Sequence, residues 1–264
     1  MDDTILQVKN LTVAFKEFTV LKDINLEIKR GKIYSIIGCN GCGKTTLIRT
    51  MSRNLKPKQG EILLEGKNIF KTNTKDVAKK MAILGQSNNS MGDITVRTLV
   101  SYGRFAHKKW WESEGENDKD IVDWALKKTG VEHLQNRKIN VLSGGERQRA
   151  WLAMAIAQKP EIMILDEPTT YLDIAHQLEI MELVKKLNEE EHITIVMVLH
   201  DMNHAARYSD EMIVINGTHV YSQDNPWRIL ESGVLQDVFS VEADILKDQD
   251  TGKPFFYARK VIER

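Results

Sequence analysis

The chain has 264 residues, 42% of them apolar and 28% charged, which is enough for one large globular domain or two small ones. Its 37 lysines and arginines equal its 37 aspartates and glutamates, so no charge surplus favours binding to nucleic acid or to an anionic membrane. The longest apolar run, residues 193–199, is too short to cross a bilayer, and the acidic start Met1-Asp2-Asp3 does not resemble a signal peptide. We therefore expect the protein to be made and kept in the cytoplasm.

Two segments of alternating polarity come first along the chain. Residues 5–8 and 20–28 are predicted to form antiparallel strands, and Phe15 is predicted to lie in the connection between them. The Phe15 ring has two interpretations, packing against its neighbours or stacking on a flat ligand ring such as adenine. The sequence favours packing and leaves stacking open.

A glycine-rich turn at residues 38–45, GCNGCGKT, fits the pattern G-x-x-x-x-G-K-[ST], and we call it the phosphate loop. Residues 32–37 before it are apolar and β-branched like a buried strand, and residues 45–51 after it are predicted to start a helix. At such a turn, backbone amides converge on an anion, and glycines let the chain approach phosphate oxygens closely. Lys44 would contact the β- and γ-phosphates, and the Thr45 hydroxyl would bind Mg²⁺. The turn therefore predicts a nucleotide site.

Both cysteines of the chain, Cys39 and Cys42, lie inside the phosphate loop with C-x-x-C spacing. A redox or metal role would need further partners, and the sequence has no second pair of cysteines. The favoured interpretation is that they are small residues that fill loop positions.

After the helix that follows the phosphate loop, the chain is predicted to form short strands and a short helix and then a longer helical segment. Residues 56–60 are predicted to form a turn, 61–64 a strand, 74–81 a short helix and 82–84 another strand. Residues 87–142 have helical spacing and are interpreted as a helical subdomain inserted into an α/β core. Within them, Trp110-Trp111 is either a partner-docking anchor or, as the sequence favours, a small folded-in cluster.

A long Ala-rich helix is predicted to follow Ser143 and to run to about residue 158. Ser143 and Glu146 have the spacing of a capping box, which marks the helix start. Gly144 and Gly145, just inside that start, each cost about 1 kcal/mol relative to Ala. A chain accepts this cost where amides must approach a ligand, so the spacing leaves a plain cap and a second phosphate-facing helix end equally open.

Acidic residues and a histidine follow two further buried strands. Residues 162–165 form the first, which ends in Asp166-Glu167, where parallel sheets bind ligands. Asp166 can hold the Mg²⁺ that Thr45 also binds, and Glu167 is placed to polarise an attacking water. After a predicted amphipathic helix at residues 174–190, the strand at 193–199 ends in His200, whose position favours a role in the site over a structural one. Residues 213–221 then predict a hairpin, and the tail predicts short helices followed by strands.

Four of these motifs, in this order, resemble those of the ATP-binding-cassette (ABC) ATPases over nearly the whole chain. They are the phosphate loop, the segment Leu142-Ser143-Gly144-Gly145-Glu146 (the signature segment), the strand end Asp166-Glu167, and His200. The Leu-Ser-Gly-Gly sequence is the most specific, since other phosphate-loop NTPases lack it. The resemblance implies an α/β fold with a P-loop NTPase core of mainly parallel sheet, an N-terminal antiparallel β subdomain and an inserted α-helical subdomain. We assign residues 1–86 and 160–264 to the core and 87–159 to the helical subdomain.

The resemblance also implies roles for single residues. Glu167 matches the catalytic carboxylate, His200 the residue that senses the γ-phosphate, and Gln86 the glutamine that meets Mg²⁺ and water and senses the transport partner. Together with Lys44, these are the implied catalytic residues. The implied metal ligands are Thr45, Gln86 and Asp166.

The implied nucleotide-binding residues come from several segments. In the family, the signature segment touches the γ-phosphate held by the other subunit of a head-to-tail dimer, Asp173 links the two sites, and Phe15 stacks on adenine. The full set is Phe15, Gly38, Asn40, Gly41, Cys42, Gly43, Lys44, Thr45, Thr46, Ser143, Gly144, Gly145 and Asp173. The implied cofactors are ATP and Mg²⁺.

The sequence departs from the usual family pattern at three positions. Cys39 stands where Pro is common, Cys42 where Ser is common, and Gly85 where Pro usually precedes the glutamine. None of them removes a phosphate ligand, because the loop acts mainly through backbone amides.

A closer resemblance is to the ATPase subunits of iron–siderophore importers, with haem and cobalamin importers as near relatives. Four segments carry it: residues 166–179, 101–104, 198–201 and 251–254. It implies a homodimer on the cytoplasmic face of the membrane, bound to permease subunits and, through the complex, to a substrate-binding protein.

Two functions other than import are less consistent with the sequence. A soluble relative that remodels nucleic acid or ribosomes is disfavoured by the charge balance and because the segment between Thr45 and Ser143 is too short for a long coiled coil. A module of iron–sulfur assembly that does not hydrolyse ATP is disfavoured by the intact Lys44, Glu167 and His200.

Overall fold

The computed structural model of the chain describes residues 3–85, 93–108 and 115–263. Gln86, Trp110 and Trp111 lie outside these ranges, so the predictions made for them stay predictions. The chain forms two compact units, the first made of Met1–Lys71 with Thr194–Arg264 and the second of Thr72–Ile193. The assignment of a helical subdomain to residues 87–159 also stays a prediction. Within the described ranges, no helix combines the length and apolar character needed to span a bilayer.

The chain enters the first unit, passes through the second and returns to the first. The amino-terminal part of the first unit contains β1 (Thr4–Phe15), β2 (Phe18–Lys29), β3 (Ile33–Gly38), α1 (Lys44–Met51), β4 (Gln59–Leu64) and β5 (Lys67–Asn68). The second unit contains α2 (Thr74–Lys80), β6 (Met81–Leu84), α3 (Val96–Tyr102), α4 (Glu116–Lys128), two 3₁₀ turns (Glu132–Leu134 and Ile139–Val141), α5 (Gly144–Ala157), β7 (Ile162–Asp166) and α6 (Ile174–Glu191). The first unit resumes with β8 (Thr194–Val198), α7 (Met202–Tyr208), β9 (Glu211–Asn216), β10 (His219–Asp224), α8 (Pro226–Glu231), α9 (Val234–Asp237), β11 (Val241–Lys247) and β12 (Pro254–Val261).

An antiparallel sheet with strand order β2-β1-β4-β5 forms one layer of the first unit. Val8 of β1 lies opposite Leu26 of β2 on one side and Ile62 of β4 on the other, and all three side chains are buried. The predicted pair of antiparallel strands is confirmed, and both strands are longer than predicted because cross-strand pairing continues through their polar residues. Phe15 pairs with Phe18 as the last residue of β1, so its predicted place in the connection was wrong.

The other layer of the first unit contains the strand from which the phosphate loop begins. Strand β3 pairs in parallel with β8 on one side and with β9 on the other, and β10 returns antiparallel to β9. The residues of β3 before Gly38 are buried, as a central parallel strand requires. The phosphate loop therefore begins at the carboxyl end of a buried strand and leads directly into α1.

The second unit contains the strand end with Asp166 and Glu167, and it also contains the signature segment. Its strands β6 and β7 pair in parallel from Met81 opposite Ile162 to Leu84 opposite Leu165. Met81 begins β6, so the helix predicted over residues 74–81 ends one residue earlier. The helix predicted at 174–190 is confirmed as α6, with one more residue at its end. Helices α3, α4 and α5 pack against one another in the same unit.

The tail folds back onto the first unit as a hairpin of β11 and β12. Asp248 closes the turn by accepting hydrogen bonds from the amide and the hydroxyl of Thr251, at 2.7 and 2.9 Å. Lys253 Nζ donates to the Ser209 carbonyl at 2.7 Å, and Trp227 Nε1 donates to the Gly252 carbonyl at 3.3 Å. The residues 251–254, which contributed to the resemblance, thus anchor the hairpin to its own unit.

Candidate nucleotide-binding site

The phosphate loop has a backbone that only glycine can adopt at its first position. Gly38 has φ +150°, and a Cβ there would lie 2.3 Å from the carbonyl oxygen of Ile215 and 2.7 Å from Sγ of Cys42. Gly43, with φ +99°, forms the N-cap of α1, and its carbonyl accepts the Leu47 amide at 2.8 Å. The loop is therefore a tight backbone turn that leaves the first amides of α1 for a ligand.

Lys44 places its charge inside this turn. Its side chain is buried, and Nζ donates hydrogen bonds to the carbonyl oxygens of Gly38 at 2.7 Å and Cys39 at 2.9 Å. An ammonium has three donors, so it can hold the loop and still offer a proton to a phosphate oxygen. The arrangement suits the binding of a polyphosphate.

The two cysteines have different surroundings. Cys39 is half-buried, and its Sγ donates to the Val238 carbonyl at 2.9 Å. Cys42 is buried, and this burial raises the pKa of its thiol, while the nearby Lys44 ammonium acts in the opposite direction. Both thiols are free, and the described part of the chain contains no cluster of three or more residues suited to holding a metal. These contacts agree with the interpretation of both cysteines as residues that fill the loop.

The remaining loop residues and Phe15 are accessible to a ligand. Asn40 and Gly41 are exposed, while Thr45 and Thr46 are half-buried in the first turn of α1. Phe15 is 51% exposed, which is compatible both with packing against its neighbours and with stacking on a ligand ring. Stacking of Phe15 on adenine stays a prediction.

The acidic strand end lies in the second unit. Asp166 is the last residue of β7 and is buried, and Glu167 follows it with φ +54°, a left-handed conformation that is uncommon for glutamate. The Glu167 Oε2 atom accepts a hydrogen bond from the Thr170 hydroxyl at 3.0 Å. Nine other described non-glycine residues also have positive φ, so what marks Glu167 is its place directly after the buried strand end rather than its backbone alone.

His200 and the ligands of the predicted metal site divide between the two units. His200 is exposed and directly follows β8 and Leu199 in the first unit, which also holds Thr45. Asp166 belongs to the second unit. Shared ligation of Mg²⁺ by Thr45 and Asp166 therefore stays a prediction, as does the sensing role of His200.

The signature segment begins α5 with both arms of a capping box. Ser143 Oγ accepts the Glu146 amide at 3.3 Å, and Glu146 Oε2 accepts the Ser143 amide at 2.8 Å, which lowers the pKa of the Glu146 carboxyl. The predicted cap is confirmed. The glycines have a further explanation that their spacing does not reveal. A Cβ on Gly144 would lie 3.2 Å from Leu172, and one on Gly145 would lie 2.2 Å from the His176 ring.

Asp173 lies beside this contact as the N-cap of α6. Its Oδ1 accepts hydrogen bonds from the backbone amide of His176 at 2.9 Å and from Nδ1 of the same residue at 2.7 Å. These bonds, the backbone one first, lower the pKa of the Asp173 carboxyl. The structure thus brings Asp173, His176 and Gly145 together. The sequence carries a signal for His176 only in the resemblance of residues 166–179, which assigns this histidine no role.

The class of the protein is a phosphate-loop nucleotide-binding protein of α/β fold. Three features define it: a buried parallel strand, a glycine turn with an enclosed lysine, and the start of a helix. Comparison with known proteins narrows this class. The family model described as ABC transporter matches residues 21–170, more than half of the chain. The chain belongs to the ABC transporter family, and the prediction of an ABC ATPase with its α/β fold is confirmed.

Similar proteins cover nearly the whole chain. It is 45% identical over 249 residues to the iron(3+)-hydroxamate import ATP-binding protein FhuC of Bacillus subtilis (strain 168), covering 94% of this chain and 93% of that protein. It is 44% identical over 260 residues to the petrobactin import ATP-binding protein FpuC of Bacillus anthracis, covering 98% and 95%. The dimeric structure of MJ0796, a bacterial ABC transporter cassette, is 32% identical with a TM-score of 0.75, covering 84% of this chain and 98% of that one.

Proposed function

We propose that the chain is the ATP-hydrolysing subunit of an importer that moves an iron(III)–siderophore complex through a membrane permease. The observation that carries the ATPase function is the phosphate loop, with its glycine-only turn at Gly38 and the enclosed Lys44 ammonium. The cargo rests on the near full-length similarity to the import proteins FhuC and FpuC.

Binding of ATP uses groups from the phosphate loop and from other segments of the chain. The loop amides and Lys44 hold the phosphates, and the exposed ring of Phe15 stacks on the base. The hydroxyl of Thr45, the carboxylate of Asp166 and the amide of Gln86 offer oxygen donors of the kind that Mg²⁺ prefers, and in this proposal they would hold it. When bound, Mg²⁺ neutralises charge that develops on the phosphates.

Hydrolysis needs a group that orients water. Glu167 serves this role, and its bond with the Thr170 hydroxyl and its left-handed backbone fix the direction of the carboxylate. His200 contacts the γ-phosphate, and Gln86 joins the site to the permease.

Each site is completed by a second copy of the chain. Ser143 and the glycines after it lie at the start of α5, where the first amides of a helix can bind an anion, and Asp173 connects the two sites. The dimeric structure of the MJ0796 cassette supports the dimer that this proposal needs. In this proposal residues 86–111 carry the contact with the permease, a substrate-binding protein joins through the complex, and the subunit lies on the cytoplasmic face of the membrane.

Replacement of Glu167 tests the catalytic assignment. Glu167→Gln removes the charge that activates water but keeps the side chain's shape, so ATP binding should persist and an ATP-bound dimer should accumulate. Turnover should fall by about 100-fold or more, the range for general base catalysis. Size-exclusion chromatography with bound-nucleotide analysis measures ATP binding and dimer formation, and release of phosphate measures turnover. Normal turnover in this variant refutes the catalytic role of Glu167.

Uptake assays test the cargo. A strain without the chain, complemented with wild type, should take up radiolabelled iron(III) hydroxamate, and Lys44→Ala should abolish uptake. If the chain supports uptake of haem or cobalamin and not of the iron(III) hydroxamate, the cargo is one of these alternatives. Failure to co-purify with an integral membrane protein would favour the soluble iron–sulfur assembly function.

A further inference from the structure

The His176 side chain occupies the space that any side chain at Gly145 would need. A Cβ on Gly145 would lie 2.2 Å from Cδ2, 2.9 Å from Cγ and 3.1 Å from Nε2 of the imidazole. Gly145 is buried, although Ser143 and Gly144 next to it are exposed. The first turn of α5 is therefore in direct contact with the first turn of α6 through this ring.

Asp173 fixes the orientation of the ring. Its carboxylate, with a lowered pKa, is ionised near neutral pH and can only accept hydrogen bonds, so Nδ1 of His176 carries the proton. The same oxygen also accepts the backbone amide of His176. The backbone bond holds the Asp173 carboxylate at the N-cap, and the Nδ1 bond to that carboxylate then restrains the imidazole beside Gly145.

We propose that His176 is a positioning residue that couples Asp173 to the signature segment within one subunit. The inference rests on the proposed function, in which both groups serve the ATP sites of the dimer. Because the ring contacts Asp173 at Nδ1 and Gly145 at its opposite edge, a movement of Asp173 moves the amides at the start of α5. His176 acts through Gly145 and does not itself touch nucleotide.

Other contacts join α5 to α6 without His176. Arg149 forms an ion pair with Glu179, and Leu172 packs at Gly144, with the Gln177 side chain donating to the Leu172 carbonyl at 2.9 Å. Replacement of His176 should therefore loosen the start of α5 and leave the unit folded.

A Gly145–His176 double-mutant cycle separates this inference from its rival, in which Gly145 is glycine only so that a ligand can approach. The cycle is made in the Glu167→Gln background, and the dissociation constant of the ATP-dependent dimer is measured by sedimentation equilibrium. His176→Ala should raise that constant about tenfold, a coupling typical of residues in contact, and Gly145→Ala should raise it more. The double variant should dimerise at least about tenfold more tightly than Gly145→Ala alone, because the added methyl group occupies the space that the imidazole leaves.

Two further measurements make the outcome decisive. ATP affinity of the monomer should change less than about twofold in His176→Ala, since the described contacts of His176 are with Asp173 and Gly145 and not with the phosphate loop. The exposed His133→Ala is the matched control. Amide hydrogen exchange at residues 143–147 should speed up in His176→Ala whether or not a dimer forms. The inference is overturned if Gly145→Ala raises the dimer dissociation constant equally with and without His176. It is also overturned if amide exchange at residues 143–147 does not change in His176→Ala. A parent variant that never dimerises with ATP refutes the proposed dimer instead.

Discussion

Single side chains at the candidate site combine chemical function with unusual backbone or packing. Gly38 has no room for a Cβ, Glu167 has a left-handed backbone, and Lys44 is a buried cation tied to two carbonyl oxygens. Each of these features costs stability elsewhere in proteins, and in this chain each is found at a residue assigned to phosphate binding or to water activation.

The cysteines give a prediction at this scale. Full alkylation of both thiols should block ATP hydrolysis, because Sγ of Cys42 lies only 2.7 Å from the position of a Cβ on Gly38, inside the tight loop turn. ATP should protect, because both thiols belong to the loop that is proposed to bind its phosphates. Cys39 should react first, since Cys42 is buried and its raised thiol pKa keeps little reactive thiolate at neutral pH. Mass spectrometry of labelling beside ATP turnover checks this.

Cys39→Ser is the matched variant for this experiment. Its only thiol is Cys42, so labelling should be slower and inhibition should follow the labelling of that one residue. The labelling rate should continue to rise with pH beyond the range of an ordinary thiol, because the pKa is raised. Full activity with both thiols alkylated would contradict the prediction.

At the scale of elements, the carboxyl end of the helix that carries the signature segment is held by the turn after α3. Arg104 is buried, donates to the Ala157 carbonyl at 2.7 Å, and forms an ion pair with Asp118 at 2.8 Å. Gly103 allows this approach, since a Cβ there would lie 2.2 Å from the Met154 carbonyl oxygen. Residues 101–104, which contributed to the resemblance, therefore support α5 from the end opposite to Ser143.

Arg104→Met should destabilise the protein by up to about 3 kcal/mol, because it removes the donor to the Ala157 carbonyl and leaves the largely buried Asp118 carboxylate with only the more distant Lys108 ammonium, at 3.8 Å. Arg97→Met is the control: its ion pair with Asp123 is more exposed, and its loss should cost less than about 1 kcal/mol. Urea unfolding measures both. Equal costs for the two variants would show that Arg104 does not hold α5.

At the scale of the whole molecule, the proposed activity belongs to a dimer. Ser143 begins α5 in the second unit, whereas the phosphate loop lies in the first, and the resemblance implies that each is used with its counterpart on another copy. A defect in one copy should then appear at the ATP bound by its partner.

Mixed dimers of wild type with Ser143→Arg test this expectation. The long cation should obstruct the signature segment, so hydrolysis of ATP bound to the wild-type phosphate loop should fall by about 100-fold, as on loss of a transition-state contact. A second dimer, in which Ser143→Arg and Lys44→Ala are in the same copy, identifies the affected site. Loss confined to the loop of the mutated copy would refute the cross-dimer arrangement.

The sequence alone determined the nucleotide chemistry and most elements, because both depend on local rules. The phosphate loop follows from glycines between a β-branched strand and a helix start, and the cap of α5 follows from the spacing of Ser143 and Glu146. The tertiary structure decided which distant residues share a space. The contact of His176 with Gly145 and the support of α5 by Arg104 depend on how helices pack, which residue spacing does not encode.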